Sequence, residues 1–189
     1  MRIFSQNIIN YDIPIPKDSI LRINLAWVNS IKELEIILKK NSSSDIFLDL
    51  PVGRTKPPNN KYSLEDIVVI LSNNINIKYF AISNVNSPEN IVDIIEKIPD
   101  HVSLVPKIES PKGVKNIKEI TEVLGSNKII MLDHDDLFSN LIKMNEEPEK
   151  FKEYIFNLTK FCRENNIIML RTIGVIFSDE ETRITQYSK

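Results

Sequence analysis

Ionisable side chains gather at the ends of two short apolar runs. The first run, Val102 to Ile108, contains Lys107 and is followed at once by Glu109. The second, Ile129 to Leu132, leads into Asp133, His134, Asp135 and Asp136. Two carboxylates on neighbouring strands can hold a hard divalent cation, which takes oxygen ligands. A lysine beside them can stabilise an oxyanion as it develops. The bland alternative is that Glu109 and the aspartates are solvated loop residues or caps for the helices that follow. His134 can serve as a general base or be a surface histidine in an acidic turn. His101 precedes a strand and carries no expected role.

Such groups need a scaffold, and the stretch between them reads as strand, helix, strand. A helical repeat (Val114, Ile117, Ile120, Val123, Leu124) separates the two runs. The same alternation extends along the chain. Ile20 to Val28 reads as a strand, with Arg22 and Asn24 on one face. Ser30 caps a helix to Lys40, supported by Glu33 three positions on. Asp45 to Leu50 is a strand of the fully covered kind. Ser63 and Asp66 open a helix to about Ser72, and Ile77 to Val85 is the next strand. Ser87-Pro88-Glu89 starts a helix to about Lys97. Beyond Asp136 a polar segment leads to Pro148 and a long amphipathic helix to Glu164. Ile167 to Leu170 is another buried strand, and residues 174–187 read as a hairpin or final strand and tail. Strands alternating with helices specify a parallel α/β sheet in one domain, residues 1–189. This periodicity fits an open doubly wound sheet and a small or incomplete barrel equally well.

Composition excludes several classes. A length of 189 residues is short for a full eight-unit barrel, which takes about 250. A net charge of −2 gives no hint of a nucleic-acid surface or an anionic membrane partner. The single cysteine, Cys162, lies in a helical apolar pattern and reads as a buried structural thiol. No apolar run approaches the ~18 residues of a membrane span, and no signal peptide opens the chain. A cytoplasmic protein is expected.

Several segments, in order, resemble the pyruvate kinase family. KIESPKGVKNIKEI followed by IIMLDHDDL is similar to its K-I-E strand, G-V-x-N-x-x-E-I helix and G-D-L strand end. LRINLAW at 21–27 looks like A-R-L-N-F-S-H, and FLDLPVGRTK at 47–56 like D-T-K-G-P-E-I-R-T-G. IKYFAISNVNSPENI at 77–91 resembles D-F-I-A-L-S-F-V-R-S-x-E-D-V. IIMLRTIGV at 167–175 sits where the family has P-V-I-x-A-T-Q-M.

The resemblance implies a reduced or atypical (β/α) TIM-type barrel with parallel strands, of the phosphoenolpyruvate-binding kind. It implies Glu109 and Asp136 as ligands of Mg²⁺ or Mn²⁺, and Lys107 and Thr172 as catalytic residues. Arg22 and Arg54 would bind the substrate's phosphate or carboxylate, while Asn24 and Asp49 match part of a monovalent-cation site. Ala26 and Trp27 replace the serine and histidine of that site, and Asp135 replaces the turn glycine. Between Arg54 and the next helix there is no room for a nucleotide-closing lid, and no C-terminal regulatory domain is expected. Phosphoryl transfer to a nucleotide is therefore not expected.

The superfamily's citrate-lyase-beta-like enzymes and hydroxy-oxo-acid aldolases, which need no lid, are the nearer analogues. The expected function is a Mg²⁺-dependent carbon–carbon lyase or aldolase acting on pyruvate, phosphoenolpyruvate or a related 2-oxo acid through an enolate. The alternatives are a non-catalytic pyruvate kinase-like binding module and a phosphoenolpyruvate-using transferase. Dimerisation is one way to cover the open strand edges.

Overall fold

The computed structural model describes residues 1–5, 15–53, 60–126 and 128–171. Expectations for Arg54, Thr172 and the segment 174–187 fall outside these residues. The chain packs as two compact units, Met1–Ser83 with Ile94–Leu104, and Asn84–Asp93 with Val105–Lys189.

In the first unit, β1 (Ile3–Ser5), β2 (Ile20–Asn24), β3 (Ile46–Leu50) and β4 (Ile77–Ile82) pair in parallel and in chain order. All five residues of β3 are buried, as a parallel strand covered on both faces must be. The covering helices are α1 (Ile31–Lys40) and α2 (Leu64–Asn73). Ser30 and Ser63 cap them, accepting from the Glu33 and Asp66 amides at 3.2 and 3.1 Å. Leu34, Ile37 and Leu38 on α1, and Ile67, Ile70 and Leu71 on α2, form the buried stripes. Each such side chain contributes roughly 1.5–3 kcal/mol of burial.

The strand expected to reach Val28 stops at Asn24. The Asn24 carboxamide oxygen accepts from the Ala26 amide at 3.0 Å and draws the chain into a 3-10 turn, Leu25–Trp27. This is the local competition with a strand ladder that Asn side chains provide. Arg22, two residues earlier on the same face, gives Nε and Nη2 to Asp49 Oδ2, the first at 3.1 Å. Register explains the pair: Asn24 lies opposite Asp49, so Arg22 reaches it diagonally.

In the second unit β5 (Ser103–Ile108, from Val105 on), β6 (Ile129–Leu132) and β7 (Ile168–Arg171) are again parallel and sequential. Among the described residues neither unit shows a reversal of strand order, the hallmark of a doubly wound sheet. The α/β class with parallel strands in chain order is the one observed in each unit.

Three helices depart from expectation. The one expected from Ser87 to Lys97 is a 3-10 turn, Pro88–Asn90, and a single turn, α3 (Val92–Ile95). Asn90 Oδ1 accepts from the Asn86 and Ser87 amides, tying this start to the preceding loop. The helix between β5 and β6 is split at Asn116 into α4 (Pro111–Lys115) and α5 (Ile117–Glu122). The polar segment after Asp136 is in fact helical: α6 (His134–Lys143) starts at Asp133 and buries Leu137 and Leu141. Finally α7 (Lys150–Glu164) buries Phe151, Tyr154, Leu158 and Cys162. Burial pushes the Cys162 thiol up to about 11, in keeping with a structural residue. No described helix is long and apolar enough to cross a membrane.

Asp49 is 1 % exposed and its Arg22 partner's side chain 15 %. Replacing Asp49 by Ala should lower unfolding free energy in urea by roughly 3 kcal/mol. That is the low end for stripping one partner from a buried pair, because the guanidinium keeps an edge in solvent.

Candidate metal centre

Alternation along a strand puts residues two apart on one face, so Lys107 and Glu109 point the same way. The lysine Nζ lies 2.9 Å from Glu109 Oε1, and both side chains are buried. On the neighbouring strand Leu132 registers with Ile108. The residues one step further, Asp133 and Glu109, therefore stand side by side, and the Asp133 amide donates to the Ile108 carbonyl at 3.4 Å. Asp133 is also the N-cap of α6: its Oδ1 accepts from the Asp136 amide at 3.3 Å. Asp136, three residues on, lies in the first turn of the same helix. The result is convergence: carboxylate oxygens of Glu109, Asp133 and Asp136 all lie within 4.8 Å of one another.

Three carboxylates at this spacing repel unless something offsets them. Lys107 offers a full charge, and the N-terminus of α6 offers partial positive charge. A third contribution comes from the loop after β4. Asn84, in the left-handed conformation (φ 58°), donates its amide to Glu109 Oε2 at 2.7 Å. Burial still dominates: it pushes the Glu109 carboxyl up to about 7, with Lys107 opposing, Asp133 reinforcing, and the Asn84 amide opposing again. A neutral glutamic acid just below neutrality becomes a ligand when a cation displaces its proton.

The loop that delivers Asn84 is pinned by its neighbours. Asn86 Nδ2 donates to the Asn84 carbonyl at 3.0 Å, while Asn86 Oδ1 accepts from the Ser110 hydroxyl. Asn116 Nδ2 donates to the Asn86 carbonyl at 2.8 Å. Gly113 lets α4 approach closely, since a Cβ there would lie 2.6 Å from the Val85 carbonyl oxygen. Two positions of the G-V-x-N motif thus have a physical role in this chain: Gly113 and Asn116 hold the loop that presents an amide to Glu109.

The structure brings Lys107, Glu109 and Asp136 together, and adds Asp133. Arg22 belongs to the first unit, where it pairs with Asp49. The His134 ring is edge-on to Phe151, 6.4 Å between centroids. Sequence reasoning named Glu109 and Asp136 as ligands and left Asp133 among the aspartates that could be solvated loop residues or helix caps. The signal for more was the Asp133–Asp136 spacing ahead of Leu137 and Leu141, a capped helix start. Asn84 and Asn86 gave no comparable signal.

No protein-family model matches the chain, and no curated protein sequence does. Its fold is similar to solved structures. RipC from Yersinia pestis superposes with a TM-score of 0.60 at 16 % identity, over 89 % of this chain and 79 % of that one. Citrate synthase SbnG gives 0.55 at 12 % identity, over 88 % and 72 %. A variant of SbnG gives 0.60 at 14 %, over 88 % and 71 %. At these identities the likeness is one of fold. It does not single out the pyruvate kinase family.

Replacing Gly113 by Ala should destabilise the protein by about 1–3 kcal/mol, the usual range for overpacking, because a backbone carbonyl blocks the new methyl. Urea denaturation at pH 8 reads this directly; an unchanged midpoint would show that the Val85 carbonyl can move aside.

Proposed function

We propose that this chain is a divalent-cation-dependent carbon–carbon lyase or aldolase that acts on pyruvate or a related 2-oxo acid through an enolate. The observation that carries the reading is the convergence of Glu109, Asp133 and Asp136 beside the buried Lys107. The donor set fits the group: three carboxylates offer only hard oxygen ligands, the choice of Mg²⁺ or Mn²⁺ over softer ions. When bound, the cation supplies Lewis-acid stabilisation of the charge that forms on the ketone oxygen as a bond to the adjacent carbon breaks.

The chain's own residues set up this chemistry. Glu109 is fixed at Oε2 by the Asn84 amide and at Oε1 by Lys107. Lys107, held within its strand, places a fixed ammonium charge beside the ligands and needs little reorganisation as an oxyanion develops. Asp133 and Asp136 present carboxylates from one helix end, whose amides reduce their mutual repulsion. The likeness in fold to a citrate synthase supports carbon–carbon chemistry as the class.

Titration with Mn²⁺ or Mg²⁺ and pyruvate tests the proposal. The metal should raise the melting temperature, pyruvate should raise it further, and Glu109→Gln or Asp136→Asn should abolish both shifts. Deuterium exchange into the pyruvate methyl group should require the metal and be lost in the same variants. No shift with metal and any 2-oxo acid would leave a non-catalytic fold.

Affinity should depend on pH in a definite direction. The ligating form of Glu109 is the charged one, and its carboxyl is held up at about 7 without metal. Below that value the cation must displace a proton, so apparent affinity should fall about tenfold per unit as pH drops, and level off above it. Calorimetric titrations from pH 5.5 to 8.5 give the slope; an affinity flat across that range would remove Glu109 from the ligand set.

A further inference from the structure

Asn140 is not one of the clustered carboxylates, yet its position is mechanically informative. It lies one turn beyond Asp136 on α6, on the helix face that Asp136 occupies. Its Nδ2 reaches out of the helix and donates to the backbone carbonyl of Glu109 at 2.7 Å. Glu109 is 2 % exposed, so its carbonyl needs a partner inside the protein. The bond therefore joins the helix that carries Asp136 to the residue that supplies the facing carboxylate.

Consider what locates Asp136 without it. Asp133 is anchored by the end of β6 and by its amide's contact with the Ile108 carbonyl, a long bond at 3.4 Å. From there α6 can pivot about the strand–helix junction, resisted by the packing of Leu137 and Leu141. Pivoting leaves Asp133 in place and carries Asp136 away from Glu109. A tie one turn beyond Asp136, made to Glu109 itself, opposes that motion. Three ligand oxygens within 4.8 Å require such a constraint, since repulsion drives the same pivot.

We propose that Asn140 is a positioning residue for the candidate cation site: its bond to the Glu109 carbonyl sets the separation between Glu109 and Asp136, and so sets cation affinity. The inference rests on the metal-centre reading and deepens it, by naming a residue that touches neither ion nor substrate. Groups that orient ligands in this way typically change affinity by 10–100-fold when removed.

The test measures Mn²⁺ affinity of the full chain at pH 8, by electron paramagnetic resonance of free Mn²⁺, alongside metal-free melting curves. Asn140→Ala should weaken Mn²⁺ binding by about tenfold or more, and Asn140→Gln, which keeps the donor, should recover part of the loss. Asn165→Ala is the control: it removes a side-chain-to-carbonyl bond of similar length, Asn165 Nδ2 to the Phe161 carbonyl at 2.8 Å, that closes on the exposed end of its own helix, α7. It should leave Mn²⁺ affinity unchanged. If Asn140→Ala lowers the melting temperature but binds Mn²⁺ as wild type does, the residue is only structural and the proposal is overturned. Should Asn140→Ala not fold, Asn140→Ser, whose donor is too short to span the gap, must show the same loss or the proposal falls. Wild-type protein that takes up no Mn²⁺ overturns the metal-centre reading and this inference together, a result distinct from equal binding by both proteins.

Discussion

Electrostatic repulsion among three buried or half-buried carboxylates is the constraint around which the second unit is arranged. Left alone, Glu109, Asp133 and Asp136 would move apart or take up protons. Each neighbour that prevents this belongs to a different element: Lys107 to β5, the Asn84 amide to the loop after β4, the capping amides to α6. The loop is held in turn by Asn86, Ser110 and Asn116, and by the absence of a side chain at Gly113. None of these groups reads as chemistry by itself. Together they hold negative charge at a density that water would otherwise disperse.

A simpler version of the same problem is solved in the first unit. Arg22 and Asp49 face one another across adjacent strands, and each removes the other's cost of burial. There the charges cancel within one pair. At Glu109 they do not: Lys107 pairs with one of three clustered acids, and the excess is what makes the cluster a candidate for a doubly charged ion. The contrast separates an ion pair that closes a gap in a sheet from an arrangement with charge left over.

Much of this was legible in the chain. The spacing of Lys107 and Glu109, two apart at a strand end, already fixed a shared face. The Ser30 and Ser63 caps, the all-buried β3 and the buried Cys162 followed from local pattern. What escaped was of a different kind. The helical nature of residues 134–143 was masked because a run of Asp and His reads as loop, although Asp133 caps it and Leu137 and Leu141 bury it. The break at Asn116 was hidden because its apolar repeat continues across it, while its side chain is diverted to a carbonyl of another loop. Asn84 enters through a main-chain amide in a left-handed turn, which residue type alone cannot announce. Long-range side-chain-to-backbone bonds leave no periodicity, and the site is built largely from them.

The acidic cluster is assembled from one stretch, β5 through α6, with its carboxylates separated by a single strand–helix–strand crossover. Closing so short a loop loses little chain entropy, and contacts close in sequence form quickly. The acidic cluster therefore need not wait for distant segments to meet: the segments that concentrate negative charge are separated by one short crossover.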